Sequence, residues 1–395
     1  MPIVHGLRPR VATAVVLAVA LAGSSAVAGA VDRAGGTVVY RWGVVGNRGK
    51  IASLERRAPT PVAGIVGRVV QIATSNSDGY ALTSNGQVYG WGVNSYGELG
   101  DGHLTPYETR AVRVLFPAGV TIARLADPMP FDAALAIDTH GRAWGWGLDA
   151  SSDLCLSGLL VDRPKELPLA DVSLASGART HSLLYAGSTL YACGSPDAGE
   201  LATGSTAVAA TPTRVVGLPD GVRVTALTSS WEGSGALLAD GDYYDWGYNA
   251  DGQLGDGSTA DSATPVRVGL PGPVTRVFQG GSGPRNGQTV AIVEGGSVWA
   301  WGTNSRGQLG IGTRTDSDVP ARVHVPRGVS FVRVSSGGFA SYAIDRAGRL
   351  WAWGDDSEGQ LGTGQATRTV PFDVGLRLGQ VSSTAQNVAG LGRRP

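Results

Sequence analysis

A tryptophan–glycine pair recurs along this chain roughly every 50 residues, and this repeat constrains the fold more than any other feature. Cys193 and Gly194 fill the single gap in the series. The repeat positions are Trp42, Trp91, Trp146, Cys193, Trp246, Trp301 and Trp353. An aromatic residue stands two positions before every pair, and side chains two apart on a strand share a face. Each repeat therefore offers large side chains to a neighbour and cannot bury them alone.

Each pair is followed by a glycine-rich segment and then by a proline that heads a short apolar strand. The glycine-rich segment is clearest as WGYNADGQLGDG at 246–257 and WGTNSRGQLGIG at 301–312. The prolines are Pro61, Pro164, Pro212, Pro265, Pro320 and Pro371. A residue without an N–H suits an outer strand at the edge of a sheet. Four short strands in a unit of about 52 residues, with no helical period, predict an all-β, seven-bladed β-propeller.

The glycine-rich segment, together with the strand VSLASGARTH at 172–181, resembles the repeat of the regulator-of-chromosome-condensation family, in the form found in secreted bacterial proteins. The resemblance extends over nearly everything from residue 31 onward and implies a seven-bladed propeller. Residues 31–35 echo residues 344–348, and residues 381–391 echo residues 334–344. We therefore expect both termini to build one blade and to close the ring.

The first 28 residues show the order of features that is typical of a signal peptide. Arg8 and Arg10 precede an apolar run at 11–22, and residues 26–28 supply a small-residue cleavage site. We predict a signal peptide at 1–28, a single propeller domain at 29–395, and a secreted or cell-envelope location. The alternative is an N-terminal membrane anchor, because residues 11–31 carry no charge and are long enough to span a bilayer.

Charge and histidine content argue against several classes of function. Lys plus Arg and Asp plus Glu are equal at 32 each, so nucleic acid is not an expected partner. His103, His140 and His324 stand alone, and His181 occupies a structural position of the repeat, so no metal site is predicted. The sequence contains neither a Gly-x-Ser-x-Gly nucleophile elbow nor a phosphate-binding loop. We expect neither a cofactor nor an enzymatic activity.

The two cysteines are departures from the repeat in consecutive copies. Cys193 replaces a packing tryptophan, and Cys155 replaces the last glycine of a degenerate glycine-rich segment. An even cysteine count in an exported chain favours a disulfide between Cys155 and Cys193. The alternative is two unrelated buried thiols.

The loops between the first and second strand of each predicted blade vary between copies and gather on one face of a propeller. Nine of the ten tryptophans occupy repeat positions, and Trp231 is the exception. Aromatic and arginine side chains on a rigid rim are typical of interface hot spots. The alternative for each aromatic ring is a place inside its own blade. The predicted partner-binding residues are Asp127, Phe131, Asp132, Arg179, Trp231, Glu232, Arg285, Asn286, Phe339 and Gln386.

These features favour a monomeric binding scaffold that recognises a protein or a cell-wall polymer, with no membrane contact after signal cleavage. The family resemblance implies an alternative, guanine-nucleotide exchange on a small GTPase, which is the activity of the family's namesake. No repeat carries an insertion long enough for the protruding wedge used in that exchange. A second alternative is a hydrolase or lyase whose groups converge at the channel mouth, from Asp78, Asp127, Asp132, His181 and Glu232.

Overall fold

The computed structural model describes residues 36–45, 54–156, 158, 160–281, 283, 286–363, 367–384 and 387–393. These residues form 27 β-strands and the turns between them, and the described part of the chain contains no helix. Successive strands pair antiparallel. The predicted all-β class is confirmed.

Every blade contains four strands. The first strand lies at the central channel and the fourth lies at the outer edge of the blade. The first strands are Val69–Thr74 (β3), Ile122–Leu125 (β7), Val172–Gly177 (β11), Val224–Ser229 (β15), Val274–Gly280 (β19) and Phe331–Ser336 (β23). The second strands are Asp78–Thr83 (β4), Ala133–Asp138 (β8), His181–Ala186 (β12), Gly233–Leu238 (β16), Gln288–Val293 (β20), Ala340–Asp345 (β24) and Asn387–Arg393 (β27). The third strands are Thr37–Val45 (β1), Val88–Asn94 (β5), Ala143–Leu148 (β9), Thr189–Gly194 (β13), Tyr243–Gly247 (β17), Val298–Gly302 (β21) and Arg349–Gly354 (β25). The outer strands are Leu54–Pro61 (β2), Thr105–Arg113 (β6), Leu160–Glu166 (β10), Ala209–Arg214 (β14), Ser262–Arg267 (β18) and Ser317–Arg322 (β22).

The remaining strand, β26 at Arg368–Thr384, serves two blades. It is the outer strand of blade 6 and continues as the first strand of blade 7, so these two blades share one seven-stranded sheet. Blade 1 comprises β3–β6, and blades 2 to 5 follow in chain order as separate four-stranded sheets. First strands of neighbouring blades contact one another, as β11 does with β15 and β19 does with β23. The predicted seven-bladed propeller is confirmed.

The ring is closed by strands from the two ends of the described chain. β1 pairs with β27 from Thr37 opposite Arg393 to Gly43 opposite Asn387, and β27 pairs in turn with β26. Blade 7 therefore consists of β26, β27, β1 and β2, as the echo between the two ends of the sequence predicts. Because every blade then has a neighbour on both sides, the ring has no free packing face.

The tryptophans of the Trp–Gly pairs are packed between blades, as predicted. Each is at most 1% exposed: Trp42, Trp91, Trp146, Trp246, Trp301 and Trp353. Four of their indole N–H groups donate at 2.8 Å to a backbone carbonyl of the glycine-rich segment in the preceding blade. The segment runs so close to the ring that a Cβ on Gly255 would lie 2.6 Å from Trp301, so only glycine fits there.

The prolines lie inside the outer strands, so the prediction that they head these strands is wrong. Pro212, Pro265 and Pro320 are each the fourth residue of their strand, in β14, β18 and β22. Each lies where the pairing with the third strand shifts register. At such an irregularity on an edge strand, no hydrogen bond between strands requires the N–H that proline lacks.

A disulfide between Cys155 and Cys193 is present and joins blade 2 to blade 3. The Cα atoms are 5.5 Å apart, and both side chains are buried. Cys193 lies on β13 at the position that a tryptophan fills in the other blades. The bridge thus links two blades at the junction where that packing ring is missing.

The predicted signal peptide at 1–28 lies outside the described residues. Among the residues that the structure describes, no helix is long and apolar enough to cross a membrane. The domain limits and the secreted location stay predictions.

Candidate functional site

The loops between first and second strands bring three of the predicted residues together at one end of the propeller. Phe131 of blade 2 meets Trp231 of blade 4 edge to face, with ring centroids 4.9 Å apart. The guanidinium carbon of Arg179, from blade 3, lies 4.6 Å from the centroid of the Trp231 ring. We call this end of the propeller the loop face and these three residues the aromatic–arginine cluster. Three consecutive blades contribute one side chain each.

Backbone hydrogen bonds between neighbouring loops hold Phe131 in place. Its N–H donates to the carbonyl of Ala178 at 3.0 Å, and its carbonyl accepts from the N–H of Asn76 at 3.2 Å. At the ends of two adjacent first strands, the hydroxyls of Ser176 and Ser229 are 2.9 Å apart. The cluster therefore stands on loops that the ring itself fixes, and such loops need little ordering when a partner binds.

The cluster borders the mouth of the central channel. A shallow cleft there is lined by residues from six of the seven blades. The lining includes Phe131, Arg179 and Trp231, together with Gln279 of blade 5 and Thr384 of blade 7. Aromatic, cationic and amide groups thus converge on one small area of surface, which is the composition expected of a recognition site.

Two carboxyl groups flank Arg179. Burial raises the pKa of Asp132, and the positive charge of Arg179 opposes that rise. Burial and the neighbouring carboxylate of Asp197 raise the pKa of Glu232, while Arg179 and a hydrogen bond from the Trp231 side chain oppose the rise. Arg179 itself is exposed. The loop face thus presents a guanidinium whose neighbouring carboxyls are less acidic than usual.

Asp127 lies just beyond the first strand of blade 2 and contacts blade 7. Its carboxylate accepts a hydrogen bond from Ser382 Oγ at 2.8 Å, and Ser382 Oγ also lies 3.0 Å from Thr74 Oγ1. Burial raises the pKa of Asp127 to about 7, against the effect of the Ser382 hydrogen bond. These contacts connect blades 2, 7 and 1. The half-buried Asp127 therefore helps to hold three blades together.

The other predicted residues lie apart from the cluster. Phe339 is half-buried in the loop of blade 6, where its carbonyl accepts from the N–H of Asp355 at 2.9 Å. The N–H of Asn286 donates to the carbonyl of Gly283 within the loop of blade 5. Neither Phe339 nor Asn286 lines the channel mouth in the described part of the chain. Arg285 and Gln386 lie outside the described residues, and their assignment stays a prediction.

Two residues considered for catalysis are buried. His181 contacts Ser234 Oγ of blade 4 at 2.8 Å, and burial lowers the pKa of His181 to about 4. Asp78 lies beside Ser75, whose hydroxyl donates to the carboxylate at 2.7 Å. These contacts give both residues a structural role in holding loops and blades. Among the residues described, no three His, Cys, Asp or Glu side chains come together as metal ligands.

Three residues beside the cluster were not predicted from the sequence: Asp245, Gln279 and Gln288. All three are buried, and they line a second cleft that also includes Trp231 and Glu232. Asp245 stands between the two large repeat positions of its strand, where five other copies have glycine or alanine. That departure from the repeat is the signal that could have identified it.

Comparison with known families supports the repeat assignment. A profile described as the regulator of chromosome condensation (RCC1) repeat matches residues 240–283 and 295–344, and a second RCC1 repeat profile matches residues 69–98 and 331–360. The Ultraviolet-B receptor UVR8 of Arabidopsis thaliana is 32% identical over 296 residues, which make up 71% of this chain and 64% of the receptor. The chain therefore spans less than two thirds of the length of that relative.

Two solved structures share the propeller fold. Human WBSCR16 superposes with a TM-score of 0.77 at 18% identity, over 90% of this chain and 99% of that chain. Prp20p from Saccharomyces cerevisiae superposes with a TM-score of 0.73 at 19% identity, over 92% of both chains. The matched repeats and the shared architecture agree with the seven Trp–Gly repeats and their glycine-rich segments. This chain contains repeats of the RCC1 family.

Proposed function

We propose that this chain is a secreted, non-catalytic binding scaffold that recognises a protein or cell-envelope partner through the loop face. The aromatic–arginine cluster is the observation that carries the proposal. Tryptophan and arginine are enriched among interface hot spots, and here Arg179 stacks on Trp231 at the channel mouth. Carboxyl and amide groups surround the pair, which is the usual arrangement of an anchor within a polar rim.

The relatives support a scaffold in general terms. Prp20p, which shares the fold, has binding properties toward Gsp1p and histones, and UVR8 is a receptor. Neither description identifies the partner of this chain, because one fold carries different recognition loops in different proteins. The relatives support only the general idea that a rigid propeller carries the loops that bind a partner.

The secreted location rests on the sequence of residues 1–28, with its arginines, apolar run and small-residue cleavage site. The disulfide between Cys155 and Cys193 suits an oxidising compartment. The partner is therefore sought among proteins and polymers outside the cytoplasm.

The test compares two tryptophans in different surroundings. Protein lacking the predicted signal peptide is used to capture partners from culture medium and envelope fractions, and the affinity for each captured partner is measured. Trp231→Ala should weaken binding by about 2 kcal/mol or more. The melting temperature should change little, because Trp231 is only half-buried on a loop. Trp353→Ala is the control, since it removes a fully buried ring and should reduce stability by about 3–5 kcal/mol.

Joint replacement of Phe131, Arg179 and Trp231 by alanine extends the test. Binding should be lost while the circular dichroism spectrum remains that of the folded propeller. Unchanged binding by this triple variant, with the fold intact, would place the partner elsewhere on the molecule and end the proposal. Unfolding of Trp231→Ala alone would assign the ring to the core, with the same consequence.

A further inference from the structure

A cleft opens between blades 4 and 5 at the end of the propeller opposite the loop face, and we call it the rear cleft. Its volume is about 370 Å³. Ala226 of β15 and Arg276 and Val277 of β19 border it at the channel, and Asp240 and Glu294 border it in the turns that follow the second strands. Small-molecule sites have volumes of about 300–1,000 Å³, so the rear cleft is large enough for a small organic ligand.

The third residue of a first strand often covers the backbone of the next blade. In blade 1, Gln71 Oε1 accepts from the N–H of Leu125 and Gln71 Nε2 donates to the carbonyl of Leu125, both at 2.9 Å. In blade 7, Gln380 Oε1 accepts from the N–H of Ile72 at 3.0 Å. Leu125 and Ile72 are each the fourth residue of their strand. A side-chain amide thus satisfies backbone groups that face the channel.

Blade 4 lacks this cover, because the third residue of β15 is Ala226. The other six blades have glutamine, arginine or leucine at this position. The methyl group of Ala226 makes no hydrogen bond, so Val277, the fourth residue of β19, borders the open cleft. An amide group that enters the cleft can therefore make the pair of hydrogen bonds that Gln71 makes to Leu125.

Two opposite charges also border the rear cleft. Arg276 is exposed, and its guanidinium donates to the carbonyl of Thr275 at 2.6 Å. Glu294 is exposed, and within the described part of the chain it forms no ion pair with Arg276. The carboxylate of Asp240 is used inside its own turn, where it accepts from the N–H of Asp242 at 3.0 Å. One cationic and one anionic group are therefore available to a ligand.

This pair of charges is particular to blade 5. Arg276 pairs opposite Ile292, and Glu294 lies two residues beyond Ile292. The equivalent positions of blade 6 hold two arginines, Arg333 and Arg346. No other copy of the repeat has opposite charges at these two positions. The pair is not needed to build a blade, so it is free to recognise a ligand.

We propose that the rear cleft binds a free α-amino acid with an amide side chain. Arg276 pairs with the α-carboxylate of the ligand, and Glu294 accepts from its ammonium group. The side-chain amide of the ligand bonds to the backbone N–H and carbonyl of Val277. Apolar residues that also border the cleft contact its methylene groups: Leu237, Pro273 and Val274. This site is separate from the loop face and does not depend on the partner proposed there.

The backbone N–H of Val277 reports directly on the rear cleft. In protein labelled with 15N-valine, its NMR resonance, assigned with Val277→Ile, is followed while L-glutamine is added. We expect a saturable shift with a dissociation constant of about 1 mM. N-acetyl-L-glutamine and L-glutaminamide each lack one charge of the ligand, and L-norleucine lacks the amide. Each of these three compounds should bind about tenfold more weakly than L-glutamine.

Ala226→Gln tests the origin of the cleft, because it gives blade 4 the residue that blade 1 has at this position. The new side chain should cover Val277 and abolish the binding of L-glutamine. The melting temperature should stay the same or rise, because Gln71 makes the corresponding contacts in the folded ring. Ala226→Leu is a second variant that fills the cleft, with Leu174 of blade 3 as its precedent, and it should also abolish binding.

Arg276→Gln tests the charge and should weaken the binding of L-glutamine about tenfold. Arg124→Gln is the matched control, because Arg124 has the same position in blade 2 and donates there to the carbonyl of Ser173 at 3.2 Å. It should leave the affinity unchanged. Circular dichroism confirms that the variants are folded. Unchanged affinity in Ala226→Gln or Arg276→Gln, equal binding of L-glutamine and L-norleucine, or no saturable shift up to about 20 mM ligand would overturn the inference.

Discussion

Asp345 holds together the turn between the second and third strands of blade 6. Its carboxylate accepts from Arg349 Nε at 2.7 Å and from the Trp351 indole at 3.1 Å, and Asp138 makes the equivalent contacts in blade 2. Burial alone would raise the pKa of Asp345. Hydrogen bonds from the backbone and side chain of Arg349, the Trp351 indole and the backbone of Ala347 outweigh burial and lower the pKa below its usual value.

Asp345→Asn is expected to lower the free energy of unfolding at neutral pH by about 1–2 kcal/mol. The folded pKa lies below the unfolded value of about 3.9, so this stabilisation is fully present above that value and is lost as the pH falls through the folded pKa. Urea unfolding should therefore show a larger difference from the wild type at neutral pH than near pH 2. Asp373→Asn is the control, because that carboxylate lies 3.9 Å from Arg349 on the surface. Equal stability of Asp345→Asn and the wild type at neutral pH would contradict the prediction.

At the scale of one element, five of the glycine-rich segments place either glutamate or glutamine at the same position. The side-chain oxygen accepts from the N–H two residues earlier, as Glu200 does from Ala198 at 2.7 Å and Gln308 does from Arg306 at 2.9 Å. Either residue can supply that acceptor without a charge. Burial raises the pKa of Glu200 to about 7, and the carboxylate of Asp197 adds to the rise. An ionised glutamate is therefore less favourable here than a glutamine.

Glu200→Gln is expected to stabilise the protein at about pH 8 and to change little at about pH 4, below the unfolded pKa of a glutamate. A carboxyl group whose pKa is raised on folding favours the folded state fully below its unfolded pKa, and this contribution is lost as the pH rises through the folded pKa of about 7. The gain at alkaline pH should be about 1–3 kcal/mol, measured by thermal unfolding at both pH values. Gln308→Glu is the matched reverse change and should destabilise at alkaline pH. No gain from Glu200→Gln would mean that solvent reaches the native carboxylate.

The strands could be predicted from the repeat, but their limits could not. The connections between blades 1 to 6 each contain a proline, whereas residues 374–377 contain none. The backbone there stays extended, so β26 runs through two blades. At the site, Trp231 could be predicted because it stands outside the repeat. The role of Gln279 depends on which of its amide atoms finds a partner when two blades pack, and no sequence pattern contains that information.

At the scale of the whole molecule, the ring couples the seven blades. Open repeat arrays gain stability from contacts between neighbours and unfold from their ends. Here β27 pairs with β1 on one side and with β26 on the other, so the ends of the array are joined. We therefore expect the pairing of β1 with β27 to contribute to the cooperativity of unfolding as much as any single blade does.

Ala389→Pro tests whether the closure stabilises the entire ring. Ala389 is 1% exposed and pairs with Arg41 and with Ser382, so a proline there loses a donor within a central strand. We expect the ring to open into a linear stack, with protection from hydrogen exchange falling from blades 3 and 4 towards blades 1 and 6. Val319→Pro is the control, because Val319 lies exposed on the outer strand β22 beside the native Pro320, and protection should stay uniform. Loss of protection confined to blade 7 would show that the other blades are stable without closure.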